Sequence, residues 1–290
     1  MTTTPASWRH QLPVLAAAGY RAVAIDVLGY GRSSRPAEVA AYRIGELVED
    51  SVAVVEALGG APAVIAGHDW GAVIAANSAL VRPDVFRAVA LLSIPYAPTG
   101  AGPRPTDMYA RMTPPGHEFY VTYFQQPGRA EAEIEPDVRG WLLGFYASLS
   151  ADTMGGPDRP SPLIVPAGHA MRERFAGGLP GWLSEADLDV YAAEFERTGL
   201  TGALNRYRNI DVDWADLAAH AATPIAQPSL FIGGALDPSV AGLAAAIDAF
   251  PNTLPGLRGS HLLEGAGHWI QQERADEVNA LLTGWLAGLP

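Results

Sequence analysis

The chain has 290 residues, of which 49% are hydrophobic and 17% are charged, and its formal net charge at pH 7 is −12. This apolar content excludes a disordered chain, and the length is sufficient for one large core or two modest domains. The acidic balance and the scattered arginines argue against nucleic acid as a partner, and the absence of cysteine excludes disulfides and thiolate chemistry.

Short apolar segments alternate with helical patterns along the first third of the chain. Helices are predicted at 8–18, with Ser7 as the N-cap, at 44–58 and at 72–80, and buried strands at 22–25, 63–66 and 88–92. This alternation is typical of a parallel α/β sheet.

The alternation stops near Ile94 and returns after Thr223. The segment between them is rich in proline, aromatic residues and arginine, and its periodicity is helical only, for example at 138–149 and 185–198. Beyond it we expect strands at 229–232 and 260–263 and helices at 240–250 and 273–286. The prediction is an α/β core formed by residues 1–94 and 224–290, interrupted by a helical cap at residues 95–223.

A turn with the form glycine, any residue, nucleophile, any residue, glycine joins the strand at 63–66 to the next helix. Its central residue is Asp69, between Gly67 and Gly71. Two glycines permit a sharp strand-to-helix turn that exposes the central side chain, and the helix N-terminus favours an anion there. A carboxylate is ionised at neutral pH and can attack carbon without further activation.

A histidine and a second carboxylate follow in the order expected for such a nucleophile. His268 lies on a glycine-rich loop after the last predicted strand, and Asp237 follows the strand at 229–232. An aspartate at a helix start is often only a cap, so neither motif is specific alone; their order and their positions at strand ends favour catalysis. His261 is a competing base, and we expect His68 to pack beneath the turn.

At these residues the sequence resembles the soluble epoxide hydrolases of the α/β-hydrolase fold, from about Trp8 to Leu286. The matching segments are 67–72 (GHDWGA), 29–34 (GYGRSS), 267–269 (GHW), 120–128 (YVTYFQQPG) and 205–209 (NRYRN). The resemblance implies hydrolysis of the ether bond of an epoxide to a vicinal diol, through a covalent ester on Asp69.

The resemblance also implies the remaining site residues. Tyr120 and Tyr207 are the pair that binds the epoxide oxygen, His268 activates water, Asp237 orients His268, and the Trp70 N–H forms half of an oxyanion hole. No cofactor or metal takes part, and the partner is a small-molecule epoxide. Trp70, Phe124 and Trp269 are the predicted substrate contacts. Aromatic residues that could line an apolar pocket, although such residues are more often core, are Phe119, Phe124, Trp141, Phe145 and Trp269.

The sequence departs from this family near its start. It lacks the family's first three strands and its His-Gly-x-Pro motif, which supplies the other half of the oxyanion hole. Either the native start lies further upstream, or the fourth strand, at 22–25, closes against the fifth, at 63–66. In the second case we expect ring opening to survive better than ester release, because only the ester step creates an oxyanion on Asp69.

Two rival functions stay open from the sequence. One is a haloalkane or haloacid dehalogenase on the same scaffold, with Trp70 holding halide, and the other is a truncated, non-catalytic binding protein. With no signal peptide or membrane-spanning run, the predicted location is cytoplasmic, without a membrane partner. The substrate and the oligomeric state, a homodimer included, are left open.

Overall fold

The structure is a computed structural model, and it describes residues 5–156 and 159–290. Its strands are β1 (Ala63–His68), β2 (Phe86–Leu92), β3 (His117–Phe119), β4 (Ile164–Pro166), β5 (Ser229–Gly234) and β6 (Leu257–Leu263). Its helices are α1 (Gln11–Ala17), α2 (Ile44–Ala57), α3 (Trp70–Val81), α4 (Pro105–Met112), α5 (Tyr120–Tyr123), α6 (Arg129–Ile134), α7 (Val138–Ser148), α8 (Glu185–Thr198), α9 (Thr201–Asn205), α10 (Ile210–Asp216), α11 (Pro238–Gly242), α12 (Ala244–Asp248), α13 (Phe250–Thr253), α14 (Ile270–Glu273) and α15 (Ala275–Ala287).

The chain divides into two compact units. The first comprises the residues up to Val27, Ile44–Pro98 and His220–Pro290, and the second comprises Leu28–Arg43 and Thr99–Ala219. The sequence placed residues 28–43 in the core, whereas here they group with the second unit.

A four-stranded parallel sheet with the order β1-β2-β5-β6 forms the centre of the first unit. Because all its strands are parallel, their carboxyl ends lie at one edge, which is where ligand sites of open α/β sheets occur. Leu92 at the end of β2 is in register with His68 on β1 and with Ile232 on β5. The segments that follow these three strands therefore start side by side.

Two apolar clusters cover the faces of this sheet. Val89, Leu91 and Phe231 pack on one face with buried alanines of α3, while Ala90 and Ile232 pack on the other face with the apolar side of α15. Alternate residues of each strand thus face opposite layers, and strands buried on both faces read as continuous apolar runs. This is why the sequence revealed β2 and β5, which are almost fully buried.

The second unit is mostly helical, with the antiparallel pair β3 and β4 as its only sheet within the described residues. The helix predicted at 185–198 is confirmed as α8, whose N-cap Ser184 accepts a hydrogen bond from the Asp187 N–H. The helix predicted at 138–149 is confirmed as α7. The β3–β4 pair was missed, because three-residue strands leave no periodicity to detect.

Three details of the predicted core are wrong. Residues 22–25 form no strand, because no described strand lies beside them to supply a ladder, and Val23 is 50% exposed. Ser7 is not a cap, since α1 begins after His10, which makes no side-chain cap bond. The helix predicted at 240–250 is broken into α11, α12 and α13, and Pro251 lies in the first turn of α13, where its missing N–H costs nothing.

Among the described helices, none is long and apolar enough to cross a bilayer.

Candidate active site

The turn between β1 and α3 places the Asp69 carboxylate at the start of a helix. Asp69 has φ 55°, a backbone conformation that is rare for a residue other than glycine. Gly67 is required here, because a Cβ on it would lie 1.9 Å from the Gly71 carbonyl oxygen. Helix α3 begins at Trp70, so its positive end favours the ionised form of the Asp69 carboxyl.

A buried pair of side chains, Asp237 and His268, lies at the same sheet edge. The His268 Nδ1 is 2.9 Å from the Asp237 Oδ2, and the two side chains are 5% and 0% exposed. The second carboxylate oxygen of Asp237 accepts the Ser239 N–H at the start of α11. Because a carboxylate only accepts, Nδ1 carries the hydrogen, and in neutral His268 the Nε2 is therefore a bare base.

The basic nitrogen of His268 faces Asp69. His268 Nε2 lies 3.8 Å from the Asp69 Oδ1, which is too long for a hydrogen bond but short enough for one water molecule to contact both groups. Burial acts to lower the pKa of His268, but the negative charges of Asp237 and then Asp69 outweigh it and hold this pKa above its usual value.

The loop that carries His268 is fixed through its backbone. Glu273 accepts the Gly267 N–H on one carboxylate oxygen and the Trp269 N–H on the other, both at 2.9 Å. Gly234, at the end of β5, approaches so closely that a Cβ on it would lie 2.1 Å from the Gly267 carbonyl oxygen. The strand that leads to Asp237 therefore packs directly on the His268 loop.

The structure separates the three histidines considered from the sequence. His68 is buried beneath the turn, as expected, with its ring centroid 4.9 Å from that of His268. Burial, and then the neighbouring His268, lower the pKa of His68 to about 4, so His68 is neutral at physiological pH. His261 lies on β6 and lines a 370 Å³ surface cavity together with Leu281 and Trp285 of α15.

The two tyrosines implied by the resemblance come together in the second unit. The ring centroids of Tyr120 and Tyr207 lie 5.9 Å apart, edge to face, and Phe124 packs against both rings. Tyr123, one turn after Tyr120, instead donates its hydroxyl to Glu133. Of these two tyrosines on α5, only Tyr120 therefore neighbours Tyr207.

The predicted substrate-contacting residues differ in burial. Phe124 and Trp269 are fully buried, while Trp70 is half-buried at the first position of α3. Trp269 packs against the rings of both His68 and His268. Contact of these three side chains with substrate stays a prediction.

The chain is similar in sequence to a known protein family and to proteins of known activity. The family described as "alpha/beta hydrolase fold" matches residues 2–275. Epoxide hydrolase B of Mycobacterium tuberculosis is 42% identical in an alignment that covers 98% of this chain and 88% of the relative. The chain is a member of the epoxide hydrolases of the α/β-hydrolase fold.

The similarity to other epoxide hydrolases, in sequence and in structure, supports this assignment. Epoxide hydrolase A of Mycobacterium tuberculosis is 41% identical, over 98% of this chain and 87% of the relative. The structure of an epoxide hydrolase from an endophytic Streptomyces superposes with a TM-score of 0.96 at 63% identity, covering 99% of this chain and 87% of that one. Epoxide hydrolase A of Mycobacterium thermoresistibile gives a TM-score of 0.92 at 40% identity, covering 100% and 89%.

Sequence reasoning missed two residues that hold the site of this epoxide hydrolase. Glu273 binds the His268 loop, and Ser93 donates a hydrogen bond to the His268 backbone carbonyl. Glu273 lies four residues after Trp269, a spacing that could have suggested a helix-start carboxylate. Ser93 has no comparable signal except its position directly after β2.

Within the described residues, no cluster of three or more histidine, aspartate or glutamate side chains could hold a metal ion.

Proposed function

We propose that this epoxide hydrolase converts an epoxide and water into a vicinal diol through a covalent ester on Asp69. The observation that carries the proposal is the alignment of three groups: an ionised carboxylate on a strained turn, the bare Nε2 of His268 at 3.8 Å from it, and Asp237 on the opposite nitrogen of the ring. This arrangement supplies a nucleophile and a base whose orientation is fixed.

In the first step, an Asp69 oxygen attacks a ring carbon of the epoxide and the carbon–oxygen bond of the ring breaks. The electron pair goes to the ring oxygen, which takes a proton from Tyr120 or Tyr207. A phenol has an ordinary pKa near 10 and is a suitable acid for an alkoxide. The pairing of the two rings supports their action on one oxygen atom.

In the second step, water attacks the carbonyl carbon of the ester while His268 Nε2 takes one of its protons. In this proposal the Trp70 N–H, at the start of α3, stabilises the oxyanion. When the tetrahedral intermediate collapses, the diol leaves with the proton held by His268, and the other water proton returns to the tyrosinate. Asp69 is again a carboxylate, and one water has been consumed per epoxide.

The finer assignments remain proposals. A small-molecule epoxide is the proposed partner, with Trp70, Phe124 and Trp269 as its contacts. The cytoplasmic location stays a prediction from the sequence, which leaves a homodimer open.

The tyrosine pair separates this function from the dehalogenase alternative. We expect Tyr120→Phe and Tyr207→Phe each to slow ester formation from an epoxide by about 10²-fold, because the leaving oxygen needs a proton. A halide leaves without a proton, so a dehalogenase would lose little activity with a haloalkane. Rapid mixing with styrene oxide and with 1-chlorohexane, followed by diol and chloride analysis, measures both reactions.

Tyr20→Phe is the matched control, since Tyr20 belongs to the first unit and we assign it no role. Chloride release that is unaffected by the phenylalanine variants, without diol from the epoxide, would establish the dehalogenase. Neither product from the unmodified protein would favour the binding protein.

The charge on Asp69 gives a pH signature. In the free enzyme Asp237 and Asp69 both raise the pKa of His268, whereas the ester has no charge on Asp69. Ester release needs neutral His268, so its rate should fall about tenfold per pH unit below the His268 pKa of the ester. We expect that midpoint to lie at lower pH than the His268 pKa of the free enzyme.

Two measurements check this prediction. Decay of the preformed ester is followed by rapid quench between about pH 5 and pH 9, and the free enzyme is titrated by NMR with labelled histidine. A midpoint for ester decay at or above the free-enzyme pKa contradicts the prediction.

A further inference from the structure

Ser93 combines a strained backbone with complete burial. It has φ 66° and is 0% exposed, and within the described residues the only other non-glycine residue with positive φ is Asp69. A serine at positive φ costs free energy that a glycine would not. A serine at this strained, buried position points to a use for its side chain.

The Ser93 hydroxyl forms a hydrogen bond with the loop that carries His268. Ser93 Oγ donates to the backbone carbonyl of His268 at 2.6 Å, and His68 Nε2 lies 2.7 Å from the same oxygen. A carbonyl only accepts, so His68 carries its hydrogen on Nε2. Both lone pairs of the His268 carbonyl are therefore bound by buried donors.

Backbone hydrogen bonds at Ser93 connect the end of β2 to the residue after β1 and to β5. The Asp69 N–H donates to the Leu92 carbonyl, directly before Ser93, and the Ser93 N–H donates to the Ile232 carbonyl on the strand that leads to Asp237. Ser93 thus lies between the nucleophile strand and the acid strand, with its side chain on the base loop.

We propose that Ser93, together with His68, is a positioning residue for ester release. The two donors hold the His268 backbone while Asp237 holds its ring, and together these bonds set the direction of Nε2 toward Asp69. Ring opening uses Asp69 and the tyrosines, and His268 acts only when water attacks the ester. The inference rests on the proposed function, because it needs a two-step reaction.

The two steps respond differently to loss of the hydroxyl. We expect Ser93→Ala and Ser93→Gly each to slow ester release about three- to tenfold, the usual effect of one hydrogen bond, and to leave ester formation unchanged. Ester should then accumulate at steady state. Rapid quench with styrene oxide followed by intact-mass analysis gives both rates.

Thermal stability separates positioning from a general structural role. Glycine relieves the strain at φ 66° and alanine does not, so Ser93→Gly should melt at a higher temperature than Ser93→Ala. Positioning predicts equal slowing of ester release in both variants, whereas a structural role predicts that activity follows stability. Ser93→Asn tolerates positive φ and carries an N–H donor, so it should restore part of the rate.

His68 is the second donor to the His268 carbonyl, and its role is tested by measuring ester release in two variants. His68→Gln keeps an N–H near the Nε2 position, and His68→Phe removes it. The phenylalanine variant should show the slower ester release. Ser229→Ala is the matched control, because the buried Ser229 hydroxyl makes no hydrogen bond within the described residues.

The outcomes are distinct. Equal slowing of both steps, or unchanged ester release in Ser93→Ala and Ser93→Gly, overturns the positioning role. If the unmodified protein forms neither ester nor diol, the proposed function itself fails.

Discussion

Asp69→Asn is expected to lower diol formation by about 10⁴-fold or more, the order seen when a covalent nucleophile is removed. A neutral amide is a poor nucleophile toward carbon, and no ester should form. Asparagine is among the residues that tolerate positive φ, so the turn at φ 55° should keep its shape. Diol production and intact mass after mixing with styrene oxide provide the measurement.

Asp84→Asn controls for this change. Asp84 is an exposed carboxylate paired with Arg82 at 2.9 Å, and we expect turnover close to that of the unmodified protein. Diol formation by Asp69→Asn at a rate comparable to this control would exclude Asp69 as the nucleophile.

His268→Gln is expected to stop the reaction after its first half. Glutamine cannot take a proton from water, so ester release should slow by about 10³-fold while ester formation continues. The protein should gain the mass of one epoxide, and peptide mapping should place the added mass on Asp69. A single turnover without sustained diol release is the kinetic signature.

His261→Gln is the matched control for this variant, because His261 was the competing base and lines a cavity beside α15. We expect His261→Gln to turn over normally. Sustained turnover by His268→Gln combined with a stalled ester in His261→Gln would reverse the assignment of the base.

Much of the site was predictable because local sequence fixes where a parallel strand ends. Asp69, Asp237 and His268 each follow a strand of the parallel sheet, and glycines mark the tight turns around Asp69 and His268. Because the strands are parallel, their carboxyl ends lie at one edge of the sheet, and no other information is needed to predict that these residues are neighbours. The tyrosine pair depended on family resemblance, since tyrosine in a helical segment is usually only a packing residue.

The missed features depend on tertiary partners. Ser93 and Glu273 both form hydrogen bonds to the backbone of the His268 loop. Ser93 is far from this loop in the sequence, and Glu273 is close to it, but the loop is irregular and has no pattern that predicts these bonds. Residues 22–25 have the apolar composition of a strand, yet a strand exists only when a neighbour supplies hydrogen bonds. The positive φ of Ser93 has no signature in the sequence.

The contact between Gly234 and the Gly267 carbonyl has a consequence for protein engineering. Any side chain at Gly234 would have to displace the adjoining backbone, so the loops that carry Asp237 and His268 must be engineered together. Mutant libraries that seek new regioselectivity should keep both glycines constant and randomise residues elsewhere. We expect a library that varies Gly234 to consist mainly of clones in which Asp237 and His268 have lost their alignment.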